Sequence, residues 1–236
     1  MPDFSKRSSV EEIMDDLHCS GEDLHQTLRE LESINHLLGG NDVTMNGIHQ
    51  LLDKVRISKD LNIVDLGCGG GGILKLIRRL LDKKKIGGVL TGIDANPNVV
   101  KFALSQTPAS CRIQYESLNI FSDEFKARKF DIVTGTLFFH HFTTEQLVGF
   151  LKQLKSQASL GLIINDIHRH WFSYYLIKWL TQLFSRSRMV RHDAPLSVLR
   201  AFTKNELLEI LLRSGIVHFS IKWRWAFRWQ VIVRFQ

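Results

Sequence analysis

The chain has 236 residues, of which 44% are apolar and 23% are charged, and its formal net charge is +7. This composition excludes a disordered chain, and the length falls within the range of a single α/β domain. Three separated cysteines, Cys19, Cys68 and Cys111, exclude a disulfide framework and show no paired metal-ligand spacing. Because the sequence has neither an apolar signal segment at its start nor a membrane-spanning run, we expect a reduced, cytoplasmic protein.

The positive charge is unevenly distributed along the chain. Residues 1–167 contain 19 basic and 21 acidic residues, a net charge of −2, whereas residues 168–236 contain 12 basic and 3 acidic residues, a net charge of +9. The basic excess therefore belongs to the last third, which indicates a local role. A solvated basic face, an anionic ligand, a membrane surface and a nucleic acid are the alternatives.

The first part of the chain predicts helices. Residues 1–12 are polar, and we expect them to be loosely ordered. Ser20 has the spacing of a capping box with the aspartate three residues later, and apolar residues then recur at helical spacing over 24–38. The glycine pair at 39–40 is expected to end this helix, and a shorter helical stretch follows over 48–52.

The middle of the chain alternates short apolar strands with helices. The predicted strands are 62–65, 88–94, 112–115, 130–134 and 160–165, and the predicted helices are 73–81, 98–105 and 144–157. Alternating strand–helix units of this size predict a parallel sheet with helices on both faces. Ligands on such sheets bind beyond the carboxyl ends of the strands.

The last third of the chain has a different pattern. An aromatic-rich stretch over 171–184 is compatible with a helix, and a basic loop is expected over 186–192. Thr203, with Glu206 three residues later, predicts a capped helix, and two strand-like runs between residues 216 and 235 predict a hairpin. We expect one domain with four parts: an N-terminal helical segment 1–58, a central ligand-binding core 59–168, a helical lid 169–200, and a C-terminal helix and hairpin 201–236.

The most informative motif is the glycine-rich run from Gly67 to Gly72, which follows the first predicted strand. Glycines here let the chain turn tightly into a helix and let a ligand lie against the backbone. The spacing also fits a dinucleotide fingerprint, with Asp94 as the ribose-binding acid. Asp65, however, precedes the run, and its carboxylate would repel a pyrophosphate. A ligand with a ribose and an amine but no phosphate, such as S-adenosylmethionine, fits better.

Several stretches of the sequence resemble the class I S-adenosylmethionine-dependent methyltransferases, especially the small-molecule group that includes ubiquinone and menaquinone biosynthesis methyltransferases. The matching stretches are 64–71 (VDLGCGGG), 92–96 (GIDAN), 130–133 (FDIV), 137–141 (LFFHH), 202–207 (FTKNEL) and 214–216 (SGI). The resemblance covers residues 45–236. It implies a Rossmann-like α/β fold with a seven-stranded, mostly parallel sheet and an antiparallel last strand. The resemblance also implies that the N-terminal helices and the helical lid are additions to this sheet, as they are in the family.

The resemblance also implies a set of cofactor-binding residues. Those expected to surround the methionine part of the cofactor are Asp65, Gly67, Cys68, Gly69, Gly135 and Thr136. Asp94 would bind the ribose hydroxyls, and Ala95 would lie against the adenine. Asn119, next to Ile120, stands where the family often has an aspartate that accepts a hydrogen bond from the adenine amino group. Its amide oxygen can accept the same bond.

Three histidines are candidates for the chemistry. Transfer of a methyl group to a hydroxyl needs an aligned acceptor and a base, and a histidine is suited to that role near neutral pH. His140 and His141 follow the fourth predicted strand, and His168 follows the fifth. We predict His141 or His168 as the base and a structural hydrogen-bonding role for one of the His140–His141 pair. A His-Asp-His metal site at 166, 168 and 170 has no fourth ligand, and we predict no metal.

The acceptor is expected to be small and lipophilic. The aromatic stretch 171–184 has three interpretations: a packed lid, a wall of a pocket for a bulky lipophilic acceptor, and a membrane-interface segment beside Arg186, Arg188 and Arg191. A lipophilic phenol, quinol or polyketide-like acceptor would account for both a pocket wall and a membrane-interface segment. We therefore predict O- or C-methylation of such an acceptor.

Three other functions are open. The basic last third would suit an RNA methyltransferase. However, residues 135–138 read GTLF, without the Asn/Asp-Pro-Pro-aromatic signature of base N-methylation, and no cysteine nucleophile for C5 methylation follows the fourth strand. We therefore expect no nucleic-acid partner. A nicotinamide-dependent oxidoreductase and a non-catalytic S-adenosylmethionine-binding protein are the remaining alternatives.

Overall fold

A seven-stranded sheet runs through the computed structural model, which describes residues 2–53 and 60–235. The strands are β1 (Leu61–Leu66), β2 (Gly88–Asp94), β3 (Ile113–Ser117), β4 (Phe130–Thr136), β5 (Ala158–Ile167), β6 (Phe219–Arg224) and β7 (Arg228–Arg234). Their order across the sheet is β3-β2-β1-β4-β5-β7-β6. Strands β1 to β5 pair in parallel, and β7 pairs antiparallel with both β5 and β6. The predicted mostly parallel sheet with an antiparallel last strand is confirmed.

Helices cover both faces of the sheet. The α-helices are α1 (Gly21–Leu37), α2 (Gly40–Leu52), α3 (Gly72–Lys84), α4 (Pro97–Ser105), α5 (Asp123–Lys126), α6 (Thr144–Gln157), α7 (Trp171–Phe184), α8 (Arg188–Arg200) and α9 (Lys204–Arg213). Two short 3-10 helices, Ile13–Asp15 and Phe139–His141, contribute residues to the site described below.

Side chains of alternating direction along each strand build a separate core on each face of the sheet. In β1, Val64 and Leu66 pack with α6 and α9, whereas Ile63 packs on the other side with α2 and α3. Because both faces are covered, β1 and β5 are apolar along most of their length, as is typical of parallel strands. The sheet is thereby fixed on both sides, and its carboxyl edge carries the loops that form the site.

The observed elements follow the predicted ones closely in the central core. Strand β2 and helix α6 have the predicted bounds, while β4 and β5 extend two residues further at their carboxyl ends than predicted. The prediction of a basic loop over 186–192 is wrong, because α8 begins at Arg188. The hydroxyl of Ser187 accepts a hydrogen bond from the amide of Val190, and Val190 itself is fully buried. This N-cap and the buried contact favour a helix despite the positive charges.

The N-terminal segment is more ordered than predicted. Residues 1–12 were expected to be loose, but Arg7 donates hydrogen bonds from its guanidinium to the carbonyls of Arg200, His140 and Phe142. The amide of Ser8 also donates to the carbonyl of Leu199 at 2.9 Å. The segment is therefore attached to the end of α8 and to the turn that follows β4.

Two features of the first helices also differ from the prediction. Helix α1 begins directly after Ser20, but the Ser20 side chain makes no capping hydrogen bond. Helix α2 begins at Gly40, eight residues earlier than the predicted stretch 48–52. The glycine pair separates two helices here, since Gly39 takes a left-handed conformation with φ of 69°. The expected boundary between residues 58 and 59 lies outside the described residues.

Candidate active site

A cavity of about 990 Å³ lies at the carboxyl ends of β1, β2, β3 and β4. Its floor is the glycine loop at residues 67–72 and the turns that follow the next three strands. Its roof is the N-terminal segment, α1, and the inner sides of α7 and α8. The volume is at the upper end of the usual range for small-molecule sites, which leaves room for two ligands side by side.

The glycine loop has the backbone geometry of a ligand cradle. Gly67 has φ of +64°, and a Cβ atom there would lie 2.4 Å from the ring of Phe138, so a side chain does not fit. Gly69 has φ of +50°, and a Cβ atom there would meet no atom within 4 Å, because this residue borders the cavity. The amides of Gly67 and Cys68 both donate to the carbonyl of Ile93, which ties the loop to the end of β2.

Asp65 is a buried carboxylate that lines the cavity at the end of β1. It is 2% exposed, and its carboxylate accepts a hydrogen bond from the hydroxyl of Thr134 at 2.7 Å. Burial, together with the charge of Asp94, raises the pKa of Asp65 to about 7. Among the described residues, no ion pair includes Asp65. A buried carboxylate without a cationic partner is unfavourable, and the amine of S-adenosylmethionine would supply the missing charge.

Asp94 ends β2 and faces the same cavity. Its carboxylate accepts a hydrogen bond from the amide of Asn96 at 3.0 Å, and burial raises its pKa above the ordinary range. Ala95 borders the cavity next to it. Asn119 also borders the cavity, but its amide oxygen already accepts a hydrogen bond from the amide of Phe121 at 2.9 Å. A carbonyl oxygen has a second lone pair, so Asn119 can still accept a bond from an adenine amino group.

The remaining predicted cofactor residues divide into two groups. Cys68, Ile120 and Thr136 line the cavity. Gly135 lies inside β4 and does not line it, and a Cβ atom there would come within 2.6 Å of the ring of Phe139. Gly135 therefore allows the close packing of Phe139 under the site, which is a different role from the one that the resemblance implied.

His140 is held in a buried network of charges. Its Nδ1 atom lies 2.7 Å from Oδ1 of Asp166, and its Nε2 atom lies 3.5 Å from Oε1 of Glu12. Its amide also donates to Asp166 at 3.1 Å. Burial alone would lower the pKa of His140, but the charges and hydrogen bonds of Asp166 and Glu12 outweigh burial and raise it to about 9. His140 is therefore a charged structural residue at neutral pH, the role predicted for one member of the pair.

His141, one of the two histidines predicted as the base, lies at the cavity wall. It lines the cavity with its side chain 25% exposed, and its Nδ1 atom lies 2.7 Å from Oδ1 of Asp15. Burial raises the pKa of Asp15, but hydrogen bonds and charges from His141 and Arg200 outweigh it, so the pKa is well below its usual range. A carboxylate of Asp15 can accept a hydrogen bond from Nδ1–H of His141, which leaves Nε2 facing away from this partner.

Arg200, at the end of α8, and Arg7 contact the turn that carries His140 and His141. Arg200 contacts the carboxylate of Asp15 and donates to the carbonyl of His141 at 2.7 Å. Its Nη1 atom also lies 3.8 Å from Oε1 of Glu12. The guanidinium of Arg7 also donates to the backbone carbonyl of Arg200. The two arginines therefore hold the N-terminal segment over the turn that carries the two histidines.

His168, the other candidate base, lies outside the cavity. Its ring packs against Trp229 with centroids 4.8 Å apart, and its amide donates to the carbonyl of Phe227. Burial, with the charge of His170, lowers the pKa of His168. The structure therefore does not bring His168 to the site. His168 immediately follows β5, where its backbone bridges to Phe202 and Phe227 and its ring packs on Trp229.

The His-Asp-His arrangement at 166, 168 and 170 does not form a common site either, because Asp166 binds His140. Within the part of the chain that the structure describes, one other group, Glu12 with His140 and His141, has ligand atoms close enough to share a metal. The guanidinium of Arg200 already supplies a cation beside Glu12. These residues therefore fit an ion-pair network better than a metal centre.

Glu12, Asp15 and Arg7 are the site residues that the sequence pattern did not reveal. They lie more than 120 positions before the histidines that they contact. A polar, glycine-free N-terminal stretch has no periodicity that connects it with the turn after β4. The acidic residues of this stretch are its only signal, and acidic residues on a solvated segment are common.

The chain thus combines a seven-stranded sheet with an antiparallel β7, a glycine cradle after β1 and a buried carboxylate at the cavity. These features make the chain similar to the class I S-adenosylmethionine-dependent methyltransferases, and the site has the groups that S-adenosylmethionine would require. The family described as "Methyltransferase domain" matches residues 63–158, which include the glycine loop and the two histidines after β4.

The chain is similar over about half its length to curated methyltransferases. The ubiquinone biosynthesis O-methyltransferase of Bartonella quintana is 27% identical over 133 residues, which is 52% of this chain and 51% of that protein. The protein-lysine N-methyltransferase EFM4 of Saccharomyces cerevisiae is 34% identical over 105 residues, which is 41% of this chain and 44% of that protein. The chain thus matches about half the length of these curated relatives.

A solved structure shows the same fold over nearly the whole chain. Magnesium protoporphyrin IX methyltransferase from Synechocystis, solved with bound S-adenosylhomocysteine, matches with a TM-score of 0.54 and 16% identity. The match covers 98% of this chain and 90% of that chain. The match therefore extends beyond the central sheet to the N-terminal segment and to α7 and α8.

Proposed function

We propose that the protein transfers the methyl group of S-adenosylmethionine to a hydroxyl of a small lipophilic acceptor, with His141 as the general base. The observation that carries this proposal is the Asp15–His141 pair, which faces a cavity shared with the cofactor loop. Asp94, the residue expected to bind the cofactor ribose, lines the same cavity. The base and the cofactor residues thus face the same space.

The cavity roof supports a lipophilic acceptor. Leu176, Ile177 and Leu180 line it from α7, and Leu28 and Leu31 line it from α1. The aromatic residues of α7 do not form this wall, in contrast to one interpretation of the sequence. An aliphatic roof over a floor with one oriented histidine suits an acceptor that is mainly apolar and carries one reactive polar group.

The residues have separate roles in the proposed reaction. When bound, S-adenosylmethionine supplies a methyl group on a sulfonium sulfur. Nε2 of His141 takes the proton from the acceptor hydroxyl, and the negative charge of Asp15 stabilises the imidazolium that forms. The roof excludes water from the reacting atoms, which prevents competing solvation of the acceptor oxygen.

The test is a labelled-methyl screen of the purified chain against lipophilic phenols and quinols, bulk RNA and a lysine-containing protein extract. We expect label in a phenol or quinol, and we expect His141→Gln to lower the rate by about a hundredfold or more, the usual contribution of a general base. The matched control is His168→Gln, which removes a histidine outside the cavity and should leave the rate near that of the wild type.

Three results would contradict the proposal. Label in RNA or in protein lysines without label in any small acceptor would reject the acceptor class. Equal losses in His141→Gln and His168→Gln, with both proteins folded, would reject His141 as the base. Methylation of carbon without a dependence on His141 would retain the cofactor assignment and exclude the hydroxyl.

A further inference from the structure

Helix α7 is apolar on two sides, and protein covers only one of them. Leu176, Ile177 and Leu180 face the cavity. On the outer side Trp171, Tyr175, Trp179 and Leu183 follow each other at four-residue spacing, and Trp179 is 69% exposed. A helix that is apolar on all sides is usually buried. The outer side of α7 therefore lacks a partner in the described chain.

The exposed aromatic surface continues onto the C-terminal hairpin. The ring of Phe227 lies 5.7 Å from that of Phe172 and 6.0 Å from that of Trp223. Trp225, at the same turn, is 68% exposed and also borders the cavity. We use the name outer aromatic face for this surface, which consists of Trp171, Phe172, Tyr175, Trp179, Leu183, Phe184, Trp223 and Trp225.

Cations without acidic partners flank this face. Lys178, Arg186, Arg188 and Lys222 are exposed, and none of them belongs to an ion pair among the described residues. Residues 168–192 contain no aspartate or glutamate. The positive charge of the last third is therefore concentrated where the exposed aromatic rings are.

We propose that the outer aromatic face docks on the surface of an anionic lipid bilayer, with α7 lying in the plane of the interface. Tryptophan and tyrosine favour the interfacial region, and flanking lysines and arginines are attracted to anionic headgroups. The 14 residues of α7 span roughly 21 Å, which is too short to cross the hydrocarbon core. In the described ranges, no helix combines the length and apolar character that a membrane span requires.

The outer aromatic face lies next to the entrance of the cavity. The inner side of α7 roofs the cavity, and Trp225 connects the outer face with the cavity rim. A lipophilic molecule that leaves the bilayer next to α7 therefore has a short path to the cavity. The docking itself does not depend on the proposed reaction, so it can be tested without an acceptor.

The experiment is co-sedimentation of the full chain with vesicles of phosphatidylcholine, alone or mixed with phosphatidylglycerol, at low and high salt. We expect binding to the mixed vesicles that weakens as salt is added, because the flanking cations contribute by charge. Binding to phosphatidylcholine alone should be much weaker.

Two variants test the two parts of the face. Trp179→Ser with Phe184→Ser removes exposed rings and should lower partitioning by about tenfold for each ring. Lys178→Gln with Arg186→Gln should lower it by roughly fivefold for each charge, and only on anionic vesicles. All four residues are exposed, so we expect each variant to fold and to retain its thermal shift with S-adenosylhomocysteine.

Matched controls change the same chemistry elsewhere. Leu212→Ser with Val217→Ser removes exposed apolar groups from α9 and the following turn, and Lys101→Gln with Lys152→Gln removes exposed charges from α4 and α6. Both controls should bind vesicles like the wild type. The proposal is overturned if the wild type does not bind anionic vesicles or if the test variants bind as well as the controls. It is also overturned if the ring variants change only the oligomeric state in sedimentation, since the face would then join copies of the chain.

Discussion

The adjacent histidines His140 and His141 differ in their proposed roles because their ring nitrogens contact different groups. His140 lies between two carboxylates and is 2% exposed, whereas His141 has one carboxylate partner and reaches the cavity. A histidine that is already charged cannot accept a proton. Adjacent positions in the sequence therefore separate into a structural cation and a candidate base, and only the surrounding side chains distinguish them.

Asp65 predicts a pH dependence of cofactor binding. Its pKa of about 7 means that the carboxyl group is neutral below this pH and charged above it. A cationic amine binds the charged form, so the affinity for S-adenosylmethionine should fall by about tenfold between about pH 8 and about pH 6. Calorimetric titration across this range measures the effect. In Asp65→Asn the affinity should be low and nearly independent of pH, and an unchanged slope in this variant would exclude Asp65 as the titrating group.

His140 predicts a loss of stability at alkaline pH. Its pKa is raised from 6.5 to about 9 in the folded protein, so the folded state holds this proton more tightly than the unfolded chain does. The stabilisation is complete below pH 6.5 and is lost as the pH rises through 9. Urea unfolding across this range should show the decline. His140→Gln should be less stable and should lack this part of the pH dependence, whereas His168→Gln should retain it.

At the scale of elements, the sequence predicted the strands, helices and loops that have a recognisable local pattern of residues. The strands and helices of the central core have regular apolar spacing, and the glycine loop has its own signature, so both were found with small errors at their ends. The start of α8 was missed because the positive charges of Arg186, Arg188 and Arg191 indicate a solvated loop. The cap at Ser187 and the buried side chain of Val190 decide the structure there. The contacts of Asp15 could not be predicted, because no local pattern encodes a partner 126 positions away.

The N-terminal segment depends on Arg7, which provides the next prediction. Its guanidinium donates to three backbone carbonyls and lies over the ring of Phe202 at 4.4 Å. Arg7→Ala would leave these acceptors without the donor, at about 1–3 kcal/mol for a buried unsatisfied group. We expect faster cleavage of the first 19 residues in limited proteolysis and a lower methylation rate, because Asp15 lies on this segment. Lys6→Ala, at an exposed neighbouring position, should change neither measurement.

At the scale of the whole molecule, ligand binding should stabilise the protein. The predicted cofactor residues come from the carboxyl ends of β1, β2, β3 and β4, and α1 covers the cavity that most of them line, so a ligand that binds there favours the folded state only. At a concentration a hundredfold above its dissociation constant, S-adenosylhomocysteine should add about 2.7 kcal/mol to the free energy of unfolding. A thermal-shift titration measures this, and Asp94→Ala should abolish it. A normal shift in that variant would contradict the placement of the ribose at Asp94.

The contact between Arg7 and Arg200 also bears on how the protein is made. These residues are 193 positions apart, so their hydrogen bond can form only after the whole intervening chain has been synthesised. The turn after β4 leaves the ribosome earlier, so the N-terminal segment can first contact His140, His141 and Phe142. The contact of Arg200 with Asp15 forms only after α8 has emerged. The N-terminal segment therefore acquires its contacts in two stages, and the clamp from α8 is the later one.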